Sequence, residues 1–218
     1  MKKKILFTAP FIVLLLFSLQ LYLSEPKKTI AKQYLKERID DKDKRFISFE
    51  YILKEMKKRN CSVLVETGTA RNGAGNFIGD GGSTCIFADW AADHNAKLFS
   101  VDIDESALSM ARNALNRKQK KYVHFAHSDS VEFLKKFDQK IDFLYLDSYD
   151  YDLAQWEKSQ RHCLNELKAA YPRLHENSII MIDDCKLQFG GKGGLAIPYL
   201  INLGWKIVVD EYQVILVK

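Results

Sequence analysis

Hydrophobic positions along the chain fall into two kinds of run that take turns. Phe46, Phe49, Leu53 and Met56 recur at helical spacing and predict an amphipathic helix ending in the basic Lys57, Lys58 and Arg59. Short, β-branched or almost wholly apolar runs at 61–65, 98–101, 123–126, 141–146 and 179–182 each predict a buried strand. Between them the helical period returns at 83–95, with Ile86, Phe87, Trp90 and Ala91 inward and Ser83-Thr84 placed to cap. It returns again at 105–118, with Leu108, Ala111 and Leu115 on one side, and at 130–137, 153–174 and 195–203. Two last apolar runs, 205–209 and 213–217, flank Asp210-Glu211-Tyr212 and predict a hairpin. Five strand–helix alternations with strands apolar on both faces are the pattern of an α/β fold. Its doubly wound, mostly parallel sheet is covered by helices on both sides and closed by a C-terminal antiparallel hairpin.

The amino terminus is different material. Residues 5–23 carry no charge, follow Lys2-Lys3-Lys4, and have the length that spans a bilayer core. The run ends in Leu21-Tyr22-Leu23-Ser24-Glu25-Pro26, with no small-x-small cleavage site. A transmembrane helix acting as an uncleaved membrane anchor is expected, with a cleaved signal segment as the alternative. The division is then 1–26 anchor, 27–45 charged linker or surface helix, and 46–218 the α/β domain. Lys27, Lys28, Lys32, Lys36 and Arg38 slightly outnumber the lysines before the run, so the positive-inside rule puts the domain on the cytoplasmic side.

Composition changes this picture little. With 47% hydrophobic and 28% charged residues the chain is ordinarily globular. The net charge of +5 sits mainly at Lys2–Lys4 and across 27–59 and reads as a solvated face beside a membrane, so nucleic acid is not an expected partner. Cys61, Cys85, Cys163 and Cys185 form no CxxC pair and read as reduced thiols in the core or lining a site. The oligomeric state is left open.

Ligands of open α/β sheets lie beyond the carboxyl ends of the strands, and there the chemistry collects. The first strand ends in Val65-Glu66-Thr67-Gly68-Thr69-Ala70 and runs into a loop with Gly73, Gly75, Gly79, Gly81 and Gly82. Glycines let backbone N–H groups come close to a ligand, but the spacing is not GxGxxG, and a carboxylate at the strand tip would repel a pyrophosphate. Glu66 instead suits a cation such as the ammonium of an aminoacyl group. Asp102, closing the second strand in Ser100-Val101-Asp102-Ile103-Asp104, can accept from both hydroxyls of a ribose. Asp129, in His127-Ser128-Asp129-Ser130, can accept from an exocyclic amine while Ser130 caps the next helix.

Taken in order, VETGTA, SVDID, HSDS and IDFLYLD resemble the motifs of class I S-adenosylmethionine-dependent methyltransferases, over roughly 46–218. The resemblance implies a Rossmann-like fold, S-adenosylmethionine as cofactor and a small-molecule or sugar-like acceptor. The residues it places against the cofactor are Glu66, Thr67, Gly68, Thr69, Asp102, Ile103, Ser128, Asp129 and Asp147. Leu146-Asp147-Ser148 and Ile182-Asp183-Asp184-Cys185 are similar to the metal-binding acids of macrocin- and aminocoumarin-type O-methyltransferases. That likeness implies Mg²⁺ on Asp147, Asp183 and Asp184, since adjoining carboxylates repel unless a hard cation lies between them, with Asp147 as catalytic base. The chain departs from the pattern in its long loop at 71–82, in Tyr149-Asp150 and in Cys185.

Two rivals stay open. One is a metal-independent methyltransferase using Asp147 or His162 as base. The other is a non-catalytic, membrane-anchored module that keeps the fold. Lys192, in Phe189-Gly190-Gly191-Lys192-Gly193-Gly194, lacks the order of a phosphate loop and reads as part of a mobile loop on the acceptor side. Trp156 and Trp205 are expected in the core.

Overall fold

A computed structural model describes residues 30–218. Seven strands form one sheet in the order β3-β2-β1-β4-β5-β7-β6. They are β1 (Val63–Thr67), β2 (Lys97–Asp102), β3 (Val123–His127), β4 (Phe143–Leu146), β5 (Ile179–Ile182), β6 (Lys206–Asp210) and β7 (Val214–Val217). β1 to β5 are parallel, whereas β7 runs antiparallel to β5 and to β6, so the expected hairpin closes the sheet. The winding reverses between β1 and β4, which opens a crevice at their carboxyl ends.

The period of two along each strand divides the apolar side chains between two cores. Leu64, Phe143, Tyr145, Ile179 and Met181 point to one face, under α2 (Phe46–Lys58) and α4 (Ser83–His94). Val65, Leu144, Leu146, Ile180 and Ile182 point to the other, under α7 (Trp156–Ala170) and α8 (Ala196–Asn202). Phe87 sits at the centre of the first core, edge-on to Phe143 at 5.1 Å and to Tyr145 at 5.6 Å. The described residues also form α3 (Phe77–Asp80), α5 (Glu105–Ala114) and α6 (Ser130–Lys136).

Several sequence expectations need correction. The long helix expected at 153–174 is a 3₁₀ turn, α7 and a second 3₁₀ turn at Tyr171–Arg173, where Pro172 cannot supply an N–H to continue the α-helix. The helix expected at 105–118 stops at Ala114. The expected solvated segment 27–45 contributes to the core from residue 34 onwards. A short π-type helix, α1 (Ala31–Leu35), is followed by turns, and Tyr34, Leu35 and Ile39 are buried against α2 and α4. Trp205 is in the core, but Trp156 is only half-buried.

The expectation of a transmembrane helix ahead of the domain is also corrected. Among the described residues no helix is long and apolar enough to cross a membrane, and the segment 5–23 that carried the expectation lies outside them. The membrane placement falls with it.

Because Leu35 is wholly buried, Leu35→Ala is expected to lower unfolding stability by about 2–5 kcal/mol in urea titrations. A solvated linker would give a change within about 0.5 kcal/mol.

Candidate active site

The turn after β1 is built around close backbone approach. Gly68 has φ +82°, and a Cβ there would lie 2.6 Å from the carbonyl oxygen of Asp147, so only glycine lets the β1 and β4 ends meet at the crevice. Beyond it, Thr69 N–H donates to Asp102 Oδ2 at 3.1 Å and Ala70 N–H to Thr84 Oγ1 at 2.8 Å. Ser83 and Thr84 therefore face the β1 turn. α4 has no side-chain cap at Gly82, contrary to the capping role expected of them.

Glu66 lies beneath this turn. It is fully buried and accepts from Ser100 Oγ at 2.7 Å and Ser83 Oγ at 3.1 Å. Burial pushes its carboxyl up to about 7, against the pull of the surrounding hydroxyls. The structure does not bring it to an open surface where a ligand ammonium could touch it directly. Thr67 Oγ1, next along the strand, is buried without a hydrogen-bond partner among the described residues.

Asp102, Ile103 and Asp129 line one cavity of about 250 Å³ together with Val101, Ser130, Ser148, Tyr149 and His162. Asp102 also accepts from Asp104 N–H, while Asp104 is occupied in capping α5. Ile103 is 71% exposed, an apolar surface presented at the strand end. Asp129, not Ser130, caps α6: its Oδ1 accepts from Glu132 N–H at 2.9 Å, and its Oδ2 has no partner among the described residues. Ser130 Oγ instead pairs with His162 Nε2 at 3.0 Å. His162 is raised by its bond to buried Glu166, which also accepts from Ser148 Oγ at 2.6 Å. This network makes His162 a wall of the cavity. Ser128 sits at the β3 end with its hydroxyl on the Asp129 carbonyl.

Asp147, Asp183 and Asp184 lie immediately beyond the paired ends of β4 and β5. The cation among them is Lys192: Nζ is 2.5 Å from Asp147 Oδ1 and 3.1 Å from Asp184 Oδ2, and the side chain is 3% exposed. Burial would pull the ammonium down, but Asp147, Asp184 and Asp183 outweigh it, so its pKa lies well above the ordinary lysine value. Asp183 accepts from Tyr145 Oη at 2.7 Å and lies 4.0 Å from Arg45 Nε. Asp184 accepts from Tyr212 Oη and is held below the usual carboxylate range by Lys192, Tyr212 and Arg45, in spite of burial. Desolvation pushes Asp147 well up, with Asp183 and Asp184 adding to it against the pull of Lys192.

These contacts decide whether a divalent ion fits. Among the described residues no group of three or more His, Cys, Asp or Glu side chains is arranged to hold one. The expected carboxylates spend their lone pairs on Lys192, Tyr145 and Tyr212. As arranged, they do not fit Mg²⁺. Asp150, one of the departures noted above, forms a two-pronged pair with Arg71 at 2.7 and 2.8 Å that ties the glycine loop across the crevice.

Sequence reasoning passed over Tyr145, Arg45, Tyr212 and Gln213. Tyr145 was legible as the one polar tip in an otherwise apolar strand. Gln213 Nε2 donates to its oxygen at 2.9 Å, and Ser48 Oγ in turn donates to Gln213 Oε1. A wider depression of about 400 Å³ around Tyr34, Asp93, His94 and Lys118 lies away from the strand ends, and Lys118 and Asp93 are already paired there at 2.5 Å.

A family model described as a methyltransferase domain matches residues 77–185. The chain belongs to this methyltransferase family. No curated protein matches its sequence. Among solved structures it is similar to a Staphylococcus aureus protein classed as a caffeoyl-CoA O-methyltransferase, at 15% identity and TM-score 0.57, covering 94% of this chain and 98% of that one. It is similar to an O-methyltransferase from Bacillus cereus solved with SAH, at 12% identity and TM-score 0.52, covering 92% and 97%. It is also similar to MycE of the mycinamycin pathway, solved with Mg, SAH and mycinamycin VI, at 12% identity and TM-score 0.58; 87% of this methyltransferase covers 52% of MycE. The S-adenosylmethionine-dependent class expected from the ordered motifs stands.

The buried Glu66 makes stability depend on pH. The folded state holds the Glu66 proton more tightly than the unfolded chain does. Its contribution is fully present below about 4.5 and is lost as pH rises through about 7. Glu66→Gln should therefore stabilise the ligand-free methyltransferase at pH 8 by up to about 3 kcal/mol and change little at pH 4.5, measured by urea unfolding at both pH values.

Proposed function

We propose that this methyltransferase moves the methyl group of S-adenosylmethionine to a hydroxyl oxygen of a small acceptor, with the cofactor lying across the β1–β4 crevice. The observation that carries the reading is the pairing of two features at one switch point: a cavity walled by Asp102, Ile103 and Asp129, and a half-buried carboxylate, Asp147, against the Gly68 turn. Asp102 accepts from the ribose hydroxyls, Asp129 Oδ2 from the adenine amine, and Ile103 packs on the base. Thr67, Gly68 and Thr69 form the turn over which the aminoacyl end runs. Ser128 supports the adenine side. Glu66 acts from beneath by fixing the hydroxyls of Ser83 and Ser100, so that its part in holding the aminoacyl end goes through the loop.

When bound, the cofactor supplies an electrophilic methyl on a sulfonium. The chain's own task is then to orient the acceptor and remove its proton. Three carboxylates set against Lys192 and Arg45 leave the cluster with one negative charge in excess, so it has room for one proton. Asp147 takes it, because it is the carboxylate beside the Gly68 turn and burial favours its protonated form. Trp156 and Phe189 stack at 4.9 Å on the neighbouring loop, and Phe189 is 64% exposed, an aromatic ledge for the acceptor.

Two measurements test this. Calorimetry with SAH should show binding to the wild-type chain and a loss of more than about tenfold in Asp102→Ala, since removing one partner of a charged hydrogen bond costs about 2–5 kcal/mol. Asp147→Asn should keep SAH affinity nearly unchanged yet stop SAH production from S-adenosylmethionine on any hydroxyl acceptor that the wild type turns over. Unchanged affinity in a folded Asp102→Ala protein contradicts the cofactor placement.

A further inference from the structure

We infer that Lys192 is the resident cation of the acceptor site, standing where a divalent ion would otherwise hold Asp147, Asp183 and Asp184 together. The inference rests on the methyltransferase reading above and deepens it: the enzyme works without a metal, and its acceptor oxygen is held by an ammonium.

The position of Lys192 is built in several ways. Its loop, Gln188–Gly194, leaves ordinary helical geometry at Phe189, Gly190 and Gly191, all with positive φ. Gly191 packs so tightly that a Cβ would meet the Asp184 carbonyl oxygen at 1.7 Å. Buried Gln160, from α7, donates to the carbonyls of Phe189 at 2.8 Å and Gly191 at 2.9 Å, and Tyr151 Oη donates to that of Gln188 at 2.5 Å. Lys192 N–H closes on the Asp184 carbonyl at 3.2 Å. The loop thus holds the ammonium against the carboxylates, so the expectation of a mobile loop on the acceptor side is replaced by a braced one.

The donor count fits a holding role. An ammonium has three N–H bonds. Two reach Asp147 Oδ1 and Asp184 Oδ2, whereas the third has only a 3.5 Å contact to the Asp147 carbonyl. That third bond is available to an acceptor hydroxyl oxygen arriving beside Asp147. Charge follows the same logic. A buried carboxylate cluster needs cationic partners, and Lys192 and Arg45 supply two positive charges from within the chain. Removing the ammonium leaves Asp147 and Asp184 facing a vacated position with Asp183 next to them in the chain, and carboxylate oxygens are the donors a hard divalent cation prefers.

The test is a gain of metal binding. Mn²⁺ titration of the wild-type chain, followed by electron paramagnetic resonance and calorimetry, should show no stoichiometric uptake at millimolar Mn²⁺. Lys192→Ala should take up one Mn²⁺ per chain, and Lys192→Met, which keeps the side-chain bulk, should remove the ammonium with less disturbance and take up Mn²⁺ more weakly. One Mn²⁺ bound by the wild type and lost in Asp184→Asn overturns the inference, whatever the lysine variants do. So does a folded Lys192→Ala protein that stays metal-free. SAH titration of the same wild-type samples reports on the cofactor reading separately: SAH binding together with wild-type Mn²⁺ uptake removes Lys192 from this role and leaves the methyltransferase reading in place.

Discussion

The ammonium of Lys192 between Asp147 and Asp184 is the contact on which the carboxyl edge of the sheet depends. Parallel strands deliver their last residues side by side, and here β4 and β5 deliver three carboxylates within reach of one another. Without a cation such a group would repel itself and lose water at the same time. Lys192, Arg45 and the hydroxyls of Tyr145 and Tyr212 answer both demands. The loop from β5 to α8, the turn before β7 and the entry to α2 are all tied to this point, so elements far apart in sequence share one electrostatic centre.

Burial without full compensation recurs at Glu66, and there it favours a proton near neutral pH. The cost is local to a turn that has to be shaped by hydroxyls and a glycine instead of by bulky packing. That arrangement leaves the β1 end narrow enough for backbone from β4 to touch it, which keeps the crevice between the two halves of the sheet at the position where the winding reverses.

Much of the fold was legible because its signals are periodic. Alternating apolar runs mark the strands, and the split of Leu64 from Val65, or Phe143 from Leu144, into opposite cores follows from the pleat alone. Strand-end acids were legible for the same reason: Asp102, Asp129 and Asp147 lie where parallel topology had to bring them. What the sequence hid is pairing across distance. Lys192 follows Asp147 by a long stretch of chain, in a glycine-rich loop whose only local signal is flexibility, and nothing local says that Gln160 braces it. Arg45 and Tyr212 sit in charged or turn segments that read as solvated, and Ser83 and Ser130 read as helix caps because hydroxyls before a helix usually are. Only the tertiary structure turns them toward Glu66 and His162.

A crystal structure of the wild-type chain grown with SAH and Mn²⁺, with anomalous data collected at the manganese edge, tests the account most directly. It should place the nucleoside against Asp102 and Asp129 and the Lys192 ammonium between Asp147 and Asp184, with no anomalous peak at those carboxylates. A manganese peak coordinated by Asp147, Asp183 and Asp184, with Lys192 displaced from them, would contradict it.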